Sequence, residues 1–187
     1  MFVKEKKWEA SPSDFEERRA SVGGGFVWQV KIYKIESLIF NMVDYVNIHV
    51  YTDGASRSNP GPSAIGIVFL DHKGNLIAEH KECIGMGTNN EAEYRAIIKA
   101  LEMGTAYCRG IVNIFSDSEL AIKQLTSLYA IKRKNLRILC IEIKCLERLY
   151  DKVNYNFAPR ENKFVKRADE LANEALDGKY DGAICST

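Results

Sequence analysis

No apolar run in this 187-residue chain approaches the ~20 residues needed to cross a bilayer; the longest stretches, such as Ile65 to Leu70, fall far short. The opening Met1-Phe-Val-Lys-Glu-Lys-Lys7 has no apolar core of the kind a signal peptide carries, so a cytoplasmic protein without membrane association is expected. Histidine is scarce. His49, His72 and His80 all fall in or between the early strand patterns, and no Ser/His/Asp or Cys/His arrangement for nucleophilic catalysis is visible. The five cysteines (Cys83, Cys108, Cys140, Cys145 and Cys185) are odd in number and contain no C-x-x-C spacing, which argues against a disulfide framework and against zinc. They read as reduced thiols, mostly packing residues. Net charge is nearly absent, since 26 Lys+Arg meet 25 Asp+Glu.

What remains is an ordinary globular composition, 46% hydrophobic and 27% charged, which excludes disordered and fibrous classes and leaves room for one domain with a short appendage. The balanced total hides a cluster. From Lys123 to Arg167 twelve basic residues stand against four acidic ones, an excess suited to a polyanion, although a solvated helical surface explains such a run equally well.

A boundary is expected near residue 42. Residues 1–41 mix charge runs with Ser11-Pro-Ser13 and Gly23-Gly-Gly25, and form an extension of unassigned role; Met42 is an alternative start of translation. Residues 42–180 carry the regular pattern and 181–187 form a tail. Alternation from Val46 to Asp53 puts Val46, Ile48 and Val50 on one strand face, and Gly54 is expected to end that strand. Strands Ala64 to Leu70 and Leu76 to Cys83 follow, joined by the turn Asp71-His-Lys-Gly-Asn75, so three strands make a meander. Helices are expected over Asn90–Met103, Ser118–Leu125, Leu136–Tyr150 and Lys163–Leu176, with strands at Ile111–Phe115 and Val153–Phe157. The class is mixed α/β.

Four acids stand at element junctions: Asp53, Glu93, Asp117 and Asp169. Taken singly, each has an ordinary explanation. Asp53-Gly54 suits a turn, Asp117 a helix cap, and Glu93 and Asp169 solvated helix charges. The helical wheel separates Glu93 from its neighbour, because Glu91 falls near Arg95 as an i, i+4 surface partner whereas Glu93 falls beside Ala96, Ile97 and Ala100. A carboxylate on that flank is costly unless it holds a cation. Asp169 borders the stripe of Val165, Ala168, Ala172 and Leu176 in the same way. Convergent carboxylates are the shell of a hard divalent ion, and paired ions activate water on a phosphodiester without a protein nucleophile.

The strings Tyr51-Thr-Asp-Gly-Ala-Ser56, Ser58-Asn-Pro-Gly61, Thr88-Asn-Asn-Glu-Ala-Glu-Tyr94, Ser116-Asp-Ser118 and Arg167-Ala-Asp-Glu-Leu-Ala-Asn173 occur in that order. Together they resemble the type 1 ribonuclease H family over residues 45 to 178. The resemblance implies a five-stranded mixed β-sheet flanked by helices, and endonucleolytic hydrolysis of the RNA strand of RNA/DNA hybrids, giving 5′-phosphate and 3′-hydroxyl ends, with double-stranded RNA as a further substrate. It implies that Asp53, Glu93, Asp117 and Asp169 are the catalytic and metal-binding residues for two Mg²⁺ or Mn²⁺ ions, Asp53 bridging both. Gly54, Ala55, Ser56, Asn59, Thr88, Asn89 and Asn90 match positions that touch the hybrid, while Thr88-Asn-Asn90 also suits a helix N-cap. No obligate protein partner is implied.

Two features depart from the family. Where many members carry a loop histidine, this chain has Arg160, a permanent cation that can bind a leaving or product phosphate but cannot accept a proton; Glu161 is the other auxiliary candidate beside its simpler reading as an exposed loop acid. No tryptophan-bearing basic handle follows the third helix, where Tyr129 to Arg137 offers only Lys132, Arg133 and Lys134. A recombinase-like nuclease of the same broad fold and a non-catalytic hybrid-binding module are the competing functions. Four intact acids facing phosphate oppose the module.

Overall fold

The computed structural model describes residues 45–178. The chain divides into two units, Met1–Asn41 and Met42–Thr187, and the architecture below belongs to the second. The expectations for residues 1–41, for a start at Met42 and for the tail 181–187 lie outside the described residues.

Strands β1 (Tyr45–Ser56), β2 (Gly61–Asp71) and β3 (Leu76–Gly87) form the antiparallel meander. Helix α1 (Asn89–Gly104) leads to β4 (Cys108–Ser116), then α2 (Glu119–Leu125), α3 (Lys134–Leu146), a 3-10 turn at Glu147–Leu149, β5 (Lys152–Phe157) and α4 (Lys163–Leu176). The sheet order is β3-β2-β1-β4-β5, with β4 parallel to β1 and β5 parallel to β4. The β2–β3 turn closes as its composition demands: Asp71 Oδ1 accepts from the amides of Lys73 and Asn75, both at 2.8 Å, and Gly74 takes φ +86°.

The sheet is covered on both faces. On one, Ile48 and Val50 of β1, Ile65 and Ile67 of β2 and Ile114 of β4 pack with Ile97 and Leu101 of α1 and Ile143 of α3. On the other, Tyr51, Val68 and Leu70 pack with Val165, Ala168 and Leu171 of α4. Both helices press on the sheet at glycines. A Cβ at Gly54 would lie 2.2 Å from the Ala92 carbonyl carbon and 2.3 Å from the Glu93 amide nitrogen. One at Gly66, which pairs with Asp53 in the ladder, would lie 2.0 Å from the Ala168 carbonyl oxygen. No side chain fits at either crossing.

Four expectations need correction. β1 does not end at Gly54, because the ladder with β2 continues through Gly54↔Ile65 to Ser56↔Ser63, and that glycine serves helix approach rather than a turn. Val46 is 79% exposed instead of inward: the β1–β4 register slips between Tyr45↔Cys108 and Asn47↔Ile111, so alternation fails there. The third long helix stops at Leu146 and tightens into the 3-10 turn, a change of pitch that apolar spacing does not register. Finally, Cys108, Cys140 and Cys145 are free thiols, but Cys83 is disulfide-bonded; the absence of C-x-x-C says nothing about cysteines far apart in sequence.

Candidate active site

Because β1 and β4 are parallel, their carboxyl ends open on the same edge of the sheet, and that edge gathers the acids. Asp53 stands near the end of β1 and Asp117 one residue beyond β4. The crossing at Gly54 brings Glu93 of α1 to them, and the crossing at Gly66 brings α4, with Asp169, against the other face of the sheet. Carboxylate oxygens of Asp53, Glu93 and Asp117 all lie within 4.8 Å of one another. Asp169 is not one of that trio, but it lines the same cleft of about 260 Å³, together with Gly54, Ala55, Ser56, Asn89, Arg160 and Asn173. Asp53 and Glu93 are each only 5% exposed.

Burial raises the Asp53 carboxyl to about 7, helped by the charges of Asp117 and Asp169 and opposed by Arg160 and the Gly54 amide. Burial likewise holds Glu93 well above its ordinary value, with the charges of Asp53 and Asp117 adding to it, while the Ser116 hydroxyl and the Gly54 amide oppose. Asp117 is raised too, again chiefly by burial. Two buried acids and a half-buried third, turned on one another, favour either protons or a cation. The donor set is all oxygen, with no histidine or cysteine lining the cleft, and therefore fits a hard divalent ion.

The auxiliary residues divide. Arg160, in the loop between β5 and α4, reaches Asp169 with Nη2–Oδ1 at 3.1 Å and Asp117 with Nε–Oδ2 at 4.0 Å. Glu161 is exposed and does not line the cleft. Among the expected substrate contacts, Gly54, Ala55, Ser56 and Asn89 line the cleft, whereas Asn59 does not; it is exposed, its side-chain oxygen accepting from the Asn89 amide at 3.3 Å. Thr88 is the N-cap of α1, and Glu91 completes a capping box by accepting from the Thr88 amide at 2.8 Å. Glu91 also accepts from Asn135 at 2.6 Å, so its principal partners are these two rather than Arg95. Asn90 lines an adjoining groove of about 470 Å³ with Gln124, Tyr129, Lys132 and Arg133. Asp117 does not cap α2; Ser118 does.

Two contributors were not singled out from sequence. Asn173 donates from Nδ2 to Asp169 Oδ1 at 3.2 Å, and its place one turn after Asp169 was the available signal. Ser116 Oγ donates to Glu93 Oε2 at 3.5 Å and accepts from the Ser118 amide at 3.0 Å, a contact that no local spacing announces. Three members of the basic run from Lys123 to Arg167 have acidic partners of their own: Arg160 pairs with Asp169, Lys144 with Glu147 and Arg167 with Glu79.

A sheet of this order, with acids at the ends of its two central strands, defines a ribonuclease H-like domain. A family model described as reverse transcriptase-like matches residues 51–175. The chain is 41% identical over 130 residues to Ribonuclease HI of Halobacterium salinarum, covering 70% of this chain and 64% of that protein. It is 33% identical over 140 residues to the bifunctional protein Rv2228c of Mycobacterium tuberculosis, of whose length it spans 38%. Among solved structures, RNase H1 from Halobacterium salinarum superposes with a TM-score of 0.68 at 40% identity, over 71% of this chain and 98% of that one. LC11-RNase H1, solved in complex with an RNA/DNA hybrid, gives 0.65 at 39% identity, over 71% and 98%. The chain belongs to the type 1 ribonuclease H family.

Proposed function

We propose that the protein is a metal-dependent endoribonuclease that hydrolyses the RNA strand of RNA/DNA hybrids, leaving 5′-phosphate and 3′-hydroxyl ends, with residues 42–180 as the catalytic domain. The observation that carries this is the convergence of Asp53, Glu93 and Asp117 within 4.8 Å, with Asp169 lining the same cleft. Family membership and the hybrid bound to LC11-RNase H1 support the substrate class. Among the described residues no helix is long and apolar enough to cross a membrane, which is compatible with work in the cytoplasm.

Asp53, Glu93 and Asp117 would hold one divalent ion, and Asp53 with Asp169 a second, Mg²⁺ being the expected species and Mn²⁺ a substitute. Bound there, such ions supply an activated water and neutralise charge on the leaving oxygen. The chain's own part is geometric. Packing at Gly54 and Gly66 fixes the two helices against the sheet, so the carboxylates need no rearrangement to converge. Gly54, Ala55, Ser56 and Asn89 offer short polar and backbone groups at the cleft, suited to the 2′-hydroxyls that distinguish RNA from DNA. Asn59, Thr88 and Asn90 would add contacts beyond the cleft, and the cations Lys132 and Arg133, which line one groove with Asn90, suit phosphate.

The test is incubation of the full chain with end-labelled RNA/DNA, RNA/RNA and DNA/DNA duplexes in Mg²⁺, Mn²⁺ or EDTA. Cutting of hybrid RNA, lost in EDTA and in Asp53→Asn, supports the proposal, and cutting of RNA/RNA extends it to double-stranded RNA. Cutting of DNA points instead to a recombinase-like nuclease, and metal-independent binding without cutting to a hybrid-binding module. Hybrid affinity is expected to fall steeply with salt; a flat response would remove phosphate contact as the main source of binding.

A further inference from the structure

The four acids of the cleft differ in their company. Asp53, Glu93 and Asp117 face one another from the sheet edge and α1, and the guanidinium of Arg160 approaches this trio no closer than 4.0 Å, at Asp117. Asp169 is served differently. Its Oδ1 accepts from both Arg160 Nη2 at 3.1 Å and Asn173 Nδ2 at 3.2 Å. The Arg160 side chain is 71% exposed and sits on the loop between β5 and α4, so the one permanent cation that lines the cleft among the described residues is loosely confined.

We propose that Arg160 is a tethered cation that competes with a divalent ion for Asp169, and that it exchanges Asp169 for a backbone phosphate when a duplex arrives. The inference rests on the metal-dependent reading of the cleft given above. A guanidinium cannot discharge by losing its proton, so it leaves a carboxylate only for another anion. An exposed pair of this kind is weak, favouring the paired state by no more than about fivefold, which makes exchange feasible. The two non-bridging oxygens of a backbone phosphate offer a guanidinium a two-point acceptor, as the two oxygens of a carboxylate do, so phosphate is the natural second partner. Once Arg160 has moved, the Asp53–Asp169 side of the cleft loses both a competitor and a repelling charge. Occupancy of that side is then linked to substrate, while the trio side, which Arg160 approaches at 4.0 Å through Asp117 alone, responds less.

The experiment is a calorimetric titration of the full chain with Mn²⁺ alone, comparing wild type, Arg160→Ala and Arg160→Lys, alongside anisotropy of a labelled hybrid in EDTA. In Arg160→Ala the weaker Mn²⁺ site is expected to tighten about three- to fivefold, with the tighter site moving less than about twofold; Arg160→Lys, which keeps the charge, falls between. Hybrid affinity in EDTA is expected to drop, with the salt slope reduced by about one. An unchanged weak site, equal shifts at both sites, or an unchanged hybrid affinity overturns the proposal. Failure of the metal-dependent reading looks different: wild type then binds no Mn²⁺, or Asp53→Asn leaves binding intact. Because Arg160 is exposed, the variants are expected to keep the wild-type melting curve in EDTA to within the small worth of one surface pair.

Discussion

Helix α4 carries acids on two adjoining faces, and they have opposite fates. Asp169, backed by Asn173, turns to the cleft, where Asp53 and Glu93 are buried with their charges opposed and their proton affinities raised. Glu174 turns to Lys81 of β3, and both it and the exposed Glu170 meet a cation in Arg167. There Arg167 grips Glu79 through two bonds of 2.9 and 2.8 Å and reaches Glu174 at 3.1 Å, while Lys81 takes the other Glu174 oxygen at 2.7 Å. Hydrogen bonds from Arg167 and Lys81 hold Glu79 and Glu174 below the ordinary carboxylate range. The residue types are the same; the difference is that one group was given cations by the chain and the other was left with a deficit that an external cation can fill. Acids that a fold brings together, buries and leaves largely uncompensated are the ones to suspect of chemistry.

The largest test of that contrast is Asp53→Asn. Cleavage of a hybrid is expected to fall at least ~10³-fold, because the residue between both proposed ion positions is removed. Stability in EDTA at pH 8 should rise, since a buried repelling charge goes with it. Single-turnover cleavage and thermal melts measure the two effects, and a variant that melts lower while cutting normally would contradict both.

Acidity gives a second, slightly smaller test. Asp53 binds its proton more tightly in the fold than the ordinary value of 3.8, holding it up to about 7. Its ionisation therefore costs the folded state nothing below the unfolded value, increasingly more between the two, and the full amount above about 7, at most roughly 4 kcal/mol. A bound divalent ion removes that cost. The melting difference between Mg²⁺ and EDTA should thus be small near pH 4 and grow to its maximum above pH 7; a pH-independent difference breaks the comparison.

Next in size is Gly66→Ala. The added methyl would meet the Ala168 carbonyl at 2.0 Å, so α4 must move off β2. A loss of about 1–3 kcal/mol in chemical denaturation is expected, together with weaker cleavage, since Asp169 moves with the helix. A neutral result would mean that α4 is not fixed at this crossing.

Much of this organisation was legible in the sequence, and the exceptions have physical causes. Strand alternation and the i, i+3, i+4 stripes give the meander and the four helices, because burial acts on side chains at those periods; that helices cover the sheet came from the family resemblance. Glu93 was separable from Glu91 because the wheel places it on the buried flank. Periodicity could not reveal that Gly54 continues a strand, since a glycine that admits a helix and one that makes a turn look alike in sequence. Nor could it find Ser116 behind Glu93, which lies 23 residues away along the chain. The basic run stayed open for a related reason: charge counted along the chain does not register that Arg160 pairs with Asp169 and Arg167 with Glu79.

The smallest expected effect falls on the compensated face. Arg167→Ala removes the centre of the ion-pair group, but its partners Glu79 and Glu174 are about 30% exposed, so the loss should be about 0.5–1 kcal/mol at low salt and less at high salt. The pH dependence has the opposite sign to that of Asp53. Both acids are depressed below their ordinary value of 4.5, so their contribution is complete above it and disappears as pH falls through the lowered values. The deficit of Arg167→Ala relative to wild type should therefore narrow as pH drops from 7 towards 3. Hybrid cleavage in Mg²⁺ should stay within about twofold of wild type, because Arg167 does not line the cleft, pairs with Glu79, Glu170 and Glu174, and loss of an exposed pair is a small perturbation. If cleavage falls tenfold or more while the melting curve barely changes, α4 does not separate a structural face from a reactive one, and the two acid groups work as one.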